Sequence, residues 1–373
     1  MPTSVRKLDG EGNYLSVIRE AAEALSAGAL VAFPTETVYG VAAIAAPQPM
    51  ERLSQLKQRG DRKPFTVHLG APEKADQFVP HLPPLGRRLI AKGWPGPFTL
   101  IFSVPDPGAA PVAPSLPESV RPLIYHQGSV GLRCPDNYAA ADLLNEVPRP
   151  VVATSANRPG RPPASSAEKA LEELDGLVEL ILDGGPSQYA KPSTIVRVNN
   201  GGFEILREGV YDARTVRRLA CFHLLFLCSG NTCRSPMAEL LCRQVLAERL
   251  GCPIDQVEQR GYTVASAGTF AVGGGPASRH AVEALRERGL DLAGHQSREL
   301  RPEMIHRADR ILTMTREHRE EVARLVPSAA AKTSCLDPQG DILDPMGDSV
   351  EGYRECADRI RRAIADRLEE CLV

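Results

Sequence analysis

The stretch His223-Leu224-Leu225-Phe226-Leu227-Cys228-Ser229-Gly230-Asn231-Thr232-Cys233-Arg234-Ser235-Pro236 decides how the second half of this chain folds. His223 to Leu227 reads as a buried strand, the small polar residues turn the chain, and Pro236 stands at an early helical position where its missing N–H costs nothing. Such a strand–turn–helix junction aims successive backbone N–H groups and the positive end of a helix dipole at one tetrahedral anion. In that field Cys228 would act as a thiolate nucleophile. Arg234 would grip two phosphoryl oxygens with its planar fork, and Ser235 would hydrogen-bond the sulfur. Cys-x5-Arg spacing alone says little, because Cys356 and Arg362 repeat it. That second copy lies in an amphipathic helical pattern without glycine, where the backbone amides are already paired. A departing group needs a proton donor, and Asp344-Pro345 is the best source, ahead of Asp337-Pro338, because Gly347 follows it.

Outward from this loop, helical patterns recur at about 235–250, 277–289, 315–325 and 350–371, with strand-like runs at 262–267 and 309–314. Alternating strand and helix predicts a parallel sheet covered on both faces. Residues 210–221 read as a short connector with one helical turn. Before it, a helix around Tyr14 to Ser26 leads into a strand from Ala29 to Phe33. Apolar runs at Phe65–Leu69, Phe98–Val104, Ser129–Leu132, Pro150–Thr154, Val178–Leu182, Thr194–Val198 and Gly202–Leu206 alternate with helical stretches near 48–58, 138–146 and 166–174. This half predicts a mixed α/β domain with proline-rich loops at 105–122 and 158–164. The expected division is 1–209, a linker at 210–221, and 222–373.

Composition agrees with two modules. Of the nine cysteines only Cys134 precedes residue 221, whereas 25 of the 32 prolines precede residue 210. An odd cysteine count without CxxC pairs speaks against a disulfide framework or a structural zinc site. With 43% apolar residues and 24% charged, the 373-residue chain has the makings of a sizeable core and not of wholesale disorder. No apolar run approaches the ~20 residues of a bilayer span, and the N-terminus lacks the apolar core of a signal peptide, so a cytoplasmic location without membrane attachment is expected. A net charge of −2 supplies no general attraction to nucleic acid.

The first half carries neither GxxxxGK[ST] nor a strand-linked GxGxxG. Polar clusters nevertheless punctuate its strand ends: Pro34-Thr35-Glu36-Thr37-Val38-Tyr39-Gly40, Lys57-Gln58-Arg59, Lys63-Pro64 leading to His68, Arg133, Thr154-Ser155-Ala156-Asn157, Ser193-Thr194 and Arg207. Singly these are turn residues and a solvated charged face. Together, separated cations with hydroxyl and amide groups suit a triphosphate and an amino acid.

Two family resemblances sharpen these readings. The second module resembles the low-molecular-weight protein tyrosine phosphatases, through CSGNTCRSPMAE, Ser266-Ala267-Gly268, His295 with Ser297, ADRILTM at 308–314 and the DILDPMG loop. The resemblance implies a doubly wound, flavodoxin-like parallel sheet, with Cys228 as nucleophile, Arg234 as phosphate clamp and Asp344 as general acid. Ser229, Gly230, Asn231, Thr232, Cys233 and Ser235 complete the phosphate loop, and Cys233 falls where the family keeps a second cysteine able to form a protective disulfide. Thr232 in place of isoleucine resembles the protein-arginine phosphatase branch, so phosphoarginine in a protein is the expected substrate, with phosphotyrosine the alternative. Arsenate reductases share the fold, but their relay needs further cysteines, and none occurs between Cys252 and Cys335.

The first module resembles the threonylcarbamoyl-AMP synthase (YrdC-like) family over about 20–209, through PTETVYG, Lys-x-Arg at 57–59, KPFTVH, WPGPFTL, TSAN and PSTIV in that order. The resemblance implies a twisted mixed α/β sheet around a large positive cavity, condensing L-threonine, bicarbonate and ATP with release of pyrophosphate. By matched position Lys57, Arg59, Lys63, Ser129, Asn157, Ser165 and Arg207 face ATP, which enters as a substrate with Mg²⁺. Thr37, His68, Arg133, Ser155 and Ser193 surround threonine. Lys63 stands where asparagine commonly precedes the proline. No tightly bound cofactor and no protein-held metal are expected, and catalysis would be positioning and charge neutralisation. The product would pass to the complex that forms threonylcarbamoyladenosine in tRNA, with direct tRNA binding weak or absent. The alternative, an RNA-binding unit that delivers the phosphatase, has the neutral charge and scattered aromatics against it.

Overall fold

The computed structural model describes residues 2–8, 13–58, 64–199 and 202–371. They fall into two compact units, Met1–Ala220 and Cys221–Val373. In the first, eleven strands join in one mixed sheet. Its order is Ser4–Lys7, Leu180–Asp183, Val31–Phe33, Gly40–Ile44, Val151–Ser155, Thr66–His68, Ser129–Arg133, Phe98–Ser103, Thr194–Asn199 and Gly202–Arg207, with Tyr125–His126 beside Ser129–Arg133.

The two-residue side-chain period builds a core on each face. Val31, Phe33, Ala42 and Ile44 pack with Val17, Ile18, Ala21 and Leu25 of the helix Tyr14–Ser26. Ala32, Val41 and Ala43 face the other way, into a core with Met50 and Leu53 of the helix Pro47–Leu56. Strands buried on both faces read as continuous apolar runs, which made most of them legible. Ser4–Lys7 was not foreseen, because its residues are exposed or half-buried and carry no apolar run. Gly40–Ile44 begins inside the polar motif 34–40, and the helix Pro84–Gly93 has no counterpart among the expected elements. The proline-rich loop 105–122 holds short 3₁₀ turns at Pro107–Ala109 and Ala113–Ser115.

The expected linker needs correction. Residues 213–220 form a helix, Ala213–Ala220, opened by Asp212, whose carboxylate accepts the Thr215 N–H at 2.8 Å. Val216 and Ala220 are buried in the first unit's own core, so this segment is part of that unit. An apolar stripe of Val216, Leu219 and Ala220 at helical spacing is the physical reason.

The second unit has four parallel strands in the order Tyr262–Gly268, Phe222–Cys228, Arg310–Thr313 and Thr333–Cys335. The last, three residues long, was not anticipated, nor was the helix Pro302–Arg307. Phe222, Leu224, Phe226 and Cys228 face a core with Leu241 and Val245 of the helix Arg234–Leu250 and Ala357 and Ile360 of the helix Val350–Cys371. Leu225 and Leu227 face Ile305, and Val322 of the helix Arg316–Leu325. The chain therefore winds to both faces, and the strand order reverses at Phe222–Cys228. Beyond the carboxyl end of that strand lies the crevice where open α/β sheets bind their ligands.

Candidate active sites

Strand Phe222–Cys228 carries Cys228, 2% exposed, to the carboxyl edge of its sheet. The loop then turns through Asn231, whose φ of 53° is left-handed. That conformation points the Asn231 N–H back at Cys228 Sγ, 3.2 Å away, while Ser235 Oγ lies 2.9 Å from the same sulfur. Asparagine tolerates this backbone better than most residues, and here its amide is also saturated. Nδ2 donates to Ser235 Oγ at 2.9 Å and Ser266 Oγ at 3.0 Å, and Oδ1 accepts the Arg298 N–H at 2.7 Å. Ser266 donates to Glu239 at 2.6 Å, and Glu239 pairs with Arg243 and Arg298. His295 Nε2 reaches the Asn231 carbonyl at 2.7 Å. At Gly268 a Cβ would sit 2.4 Å from the Ser229 carbonyl oxygen and 2.9 Å from the Asn231 nitrogen, so only glycine lets the neighbouring strand end approach the loop.

Arg234, 4% exposed, opens the helix Arg234–Leu250. Its Nη1 donates to the Ile342 carbonyl at 3.0 Å, and its Nη2 reaches Ser229 Oγ at 3.4 Å and the Asp344 carboxylate. Ser229 Oγ also lies 2.9 Å from His318 Nε2, and His318 Nδ1 lies 2.7 Å from Thr315 Oγ1. Burial, and then the Arg234 cation, lower the His318 pKa to about 4, so the ring is neutral near pH 7. A neutral ring lets the Ser229 hydroxyl accept from Arg234 while donating to Nε2, which fixes the guanidinium in its plane. Asp344 Oδ1 accepts the Met346 N–H at 3.2 Å. Cys233 Sγ lies 3.6 Å from Thr232 Oγ1 and 3.5 Å from the Tyr353 hydroxyl. Cys356 and Arg362, with the same spacing, sit on the single helix Val350–Cys371.

In the first unit the residues come from many strand ends. Arg133, ending strand Ser129–Arg133, donates from Nη2 to Glu36 Oε1 at 3.0 Å and Thr37 Oγ1 at 2.6 Å, with Thr35 Oγ1 at 3.4 Å. His68 is its register partner on the adjacent parallel strand. Burial, and then the Arg133 cation, lower the His68 pKa to about 3. Arg207 donates twice to the Ser193 carbonyl, at 3.1 and 2.7 Å, and to Ser193 Oγ at 3.2 Å. Burial and the Arg133 cation hold the Arg207 pKa below its ordinary value, so two guanidiniums share one field. Such a cluster is complementary to anions. Gly209 makes it possible: a Cβ there would stand 2.2 Å from the Pro192 carbonyl oxygen.

A second group gathers on Lys57, the C-cap of the helix Pro47–Leu56. Its Nζ donates to the carbonyls of Ser155 at 3.0 Å and Asn157 at 2.6 Å, and to Asn157 Oδ1 at 3.0 Å. Ser165 Oγ accepts from Lys169 Nζ at 3.1 Å. Ser129 begins the strand that Arg133 ends, so about 13 Å of strand separates them. Arg59 and Lys63 lie outside the described residues. Glu36, Thr35, His318, Glu239 and Arg298 received no role from the sequence. Glu36 and Glu239 stand inside quoted motifs, whereas no spacing signal marks His318. Among the described residues, no group of three or more His, Cys, Asp or Glu is placed to hold a metal ion.

A strand that ends in a cradled cysteine, with an arginine at the start of the next helix, is the arrangement of a cysteine-dependent phosphatase. The chain belongs to two families: the Sua5, YciO and YrdC family, whose model carries the description "Telomere recombination", matches residues 23–209, and "Low molecular weight phosphotyrosine protein phosphatase" matches 223–371. The threonylcarbamoyl-AMP synthase of Pyrococcus abyssi is 33% identical over 196 residues, 52% of this chain and 54% of that protein. The chain thus spans about half the length of that relative. The protein-arginine-phosphatase of Geobacillus stearothermophilus is 38% identical over 156 residues, 40% of this chain and 96% of that protein. A solved structure of Sua5 from P. abyssi, 21% identical with a TM-score of 0.51, covers 97% of each chain and shows likeness of fold.

Proposed function

We propose that this chain is a bifunctional enzyme. The first unit condenses L-threonine, bicarbonate and ATP into threonylcarbamoyl-AMP, for modification of a tRNA adenosine by a downstream transfer complex. The second unit hydrolyses phosphoarginine in proteins. The observation that carries the phosphatase reading is the geometry at Cys228, whose sulfur has Ser235 Oγ at 2.9 Å and the Asn231 N–H at 3.2 Å. Both groups are placed to hydrogen-bond the attacking sulfur. The sulfur attacks phosphorus, the P–N bond breaks, and Asp344 gives its proton to the departing guanidino nitrogen. Water then attacks the phosphocysteine, with Asp344 taking its proton, and inorganic phosphate leaves. Phe270, Leu343 and Met346, 69%, 77% and 67% exposed, are apolar surface on segments beside the loop and Asp344, suited to a polypeptide carrier.

Thr232 and the two relatives named protein-arginine-phosphatase, 38% and 37% identical, support phosphoarginine over phosphotyrosine. For the first unit, the support is the Arg133 and Arg207 pair beside His68, Thr37 and Ser193. Mg²⁺ would arrive on the triphosphate, and these cations would offset the remaining phosphate and carboxylate charge. The deciding experiment compares the unaltered chain with Thr232→Ile on phosphoarginine and phosphotyrosine substrates. Wild-type turnover is expected to favour phosphoarginine, and the substitution to shift preference towards phosphotyrosine. Negligible phosphoarginine turnover by the unaltered chain refutes the assignment.

A further inference from the structure

Buried polar atoms without partners are rare, and two of them here belong to one ion pair. Glu36 and Arg133, 3% and 7% exposed, meet through Oε1 and Nη2 at 3.0 Å. The other carboxylate oxygen, Glu36 Oε2, and the Arg133 Nε–H are both buried with no hydrogen-bond partner among the described residues. Thr35 and Thr37, 2% and 0% exposed, do not supply them: Thr35 Oγ1 bonds Thr37 Oγ1 at 2.9 Å and the Val38 carbonyl at 2.7 Å, and the Arg133 contacts of both threonines run through Nη2. Burying an ion pair is costly unless its remaining lone pairs and protons find partners. What remains is an acceptor carrying negative charge beside a donor carrying positive charge, with the pair itself neutral. A ligand with one charge would satisfy one of these atoms and leave the other unpaired. A zwitterion, with a carboxylate for the Arg133 Nε–H and an ammonium for Glu36 Oε2, satisfies both atoms and leaves the charge unchanged.

We propose that Glu36 is the residue that recognises the α-ammonium of the amino-acid substrate, through the carboxylate oxygen that Arg133 leaves unpaired. This rests on reading the first unit as a threonine-activating enzyme and adds the group that selects an amino acid over the corresponding hydroxy acid. Glu36 would bind and orient the nitrogen. Carbamoylation by bicarbonate takes two protons from the ammonium, one leaving in the expelled water and one to solvent; the nitrogen keeps one N–H, so the contact persists as a neutral donor to the same oxygen.

The test is steady-state pyrophosphate release with L-threonine as varied substrate, comparing the unaltered chain with Glu36→Gln. Glutamine keeps an oxygen for Arg133 but removes the charge. The KM for L-threonine is expected to rise roughly 10- to 100-fold, as for loss of a charge-assisted hydrogen bond, with kcat little changed. The second measurement needs no variant: the hydroxy acid with hydroxyl in place of ammonium, used as a competitor, should bind the unaltered chain at least roughly tenfold more weakly than threonine. In Glu36→Gln that difference should shrink. Unchanged KM in Glu36→Gln, or equal binding of acid and amino acid to the unaltered chain, overturns the inference. So does an equal weakening of both ligands by the substitution, since Glu36 would then act through Arg133 alone. Absence of threonine-dependent pyrophosphate release in the unaltered chain instead overturns the reading of the first unit on which the inference stands.

Discussion

The two sites are built in opposite ways. On the proposed reading of the second unit, eight consecutive residues from Cys228 to Ser235 supply the nucleophile, the loop and the clamp, with Asp344 and His318 arriving from elsewhere in the chain. In the site proposed for the first, Thr37, His68, Arg133, Ser193 and Arg207 come from five separate segments, each an ordinary turn or strand end by itself. A covalent reaction concentrates its demands on one sulfur and the field around it. Condensation of three small substrates asks for charge and position over a wide surface, and a sheet edge can collect these from distant segments. One site is therefore fragile at a point, the other over an area.

The largest effect expected from this contrast is at Cys228. Cys228→Ser should lower phosphatase turnover by at least about a thousandfold while leaving threonine-dependent pyrophosphate release intact. Loss of both activities would break the contrast, since neither site would then be independent. A smaller effect concerns acid. His68 and His318, with pKa values lowered to about 3 and about 4 from an ordinary 6.5, bind protons less readily folded than unfolded. The unfolded chain therefore takes up more protons as pH falls below about 6.5, and stability is lost progressively towards pH 4, being fully present above that range. Asp344 and Asp341 partly offset the Arg234 field at His318. Calorimetry from pH 7 to 4 should show falling unfolding temperatures, and His318→Asn should flatten the slope of the second unit's transition alone. An unchanged slope in that variant would mean other groups dominate. The smallest effect is expected at Cys356: Cys356→Ser should leave phosphatase activity unchanged, because a helix interior has no amides to spare for an anion. A large loss would show that the loop at Cys228 is not the reacting one.

The same contrast explains what could be read from the sequence. The strand into Cys228, its turn and its helix are contiguous, so residue order alone displays the phosphate loop. The His318 to Ser229 contact joins residues 89 apart, and nothing in the spacing of Thr315 and His318 reveals it. Glu36 was visible in its motif, but only the buried, half-paired geometry distinguishes it from a turn residue. Continuous apolar runs exposed most strands of both sheets, whereas Ser4–Lys7, lying at one edge of the sheet, has no core face to impose a pattern. The helix Ala213–Ala220 looks like a connector in the sequence because its apolar stripe is only three residues, too short to stand out without its packing surface.

The contact between Arg234 and Asp344 bears on the order of events. The two charges, the proposed clamp and the proposed acid, neutralise one another through this contact. On the proposed reading, a phosphoryl group that takes the guanidinium releases the carboxylate, which is then free to take up the proton that the substrate brings and to pass it to the departing nitrogen. Water entering the loop by itself meets a carboxylate already engaged, a safety catch set by a single ion pair.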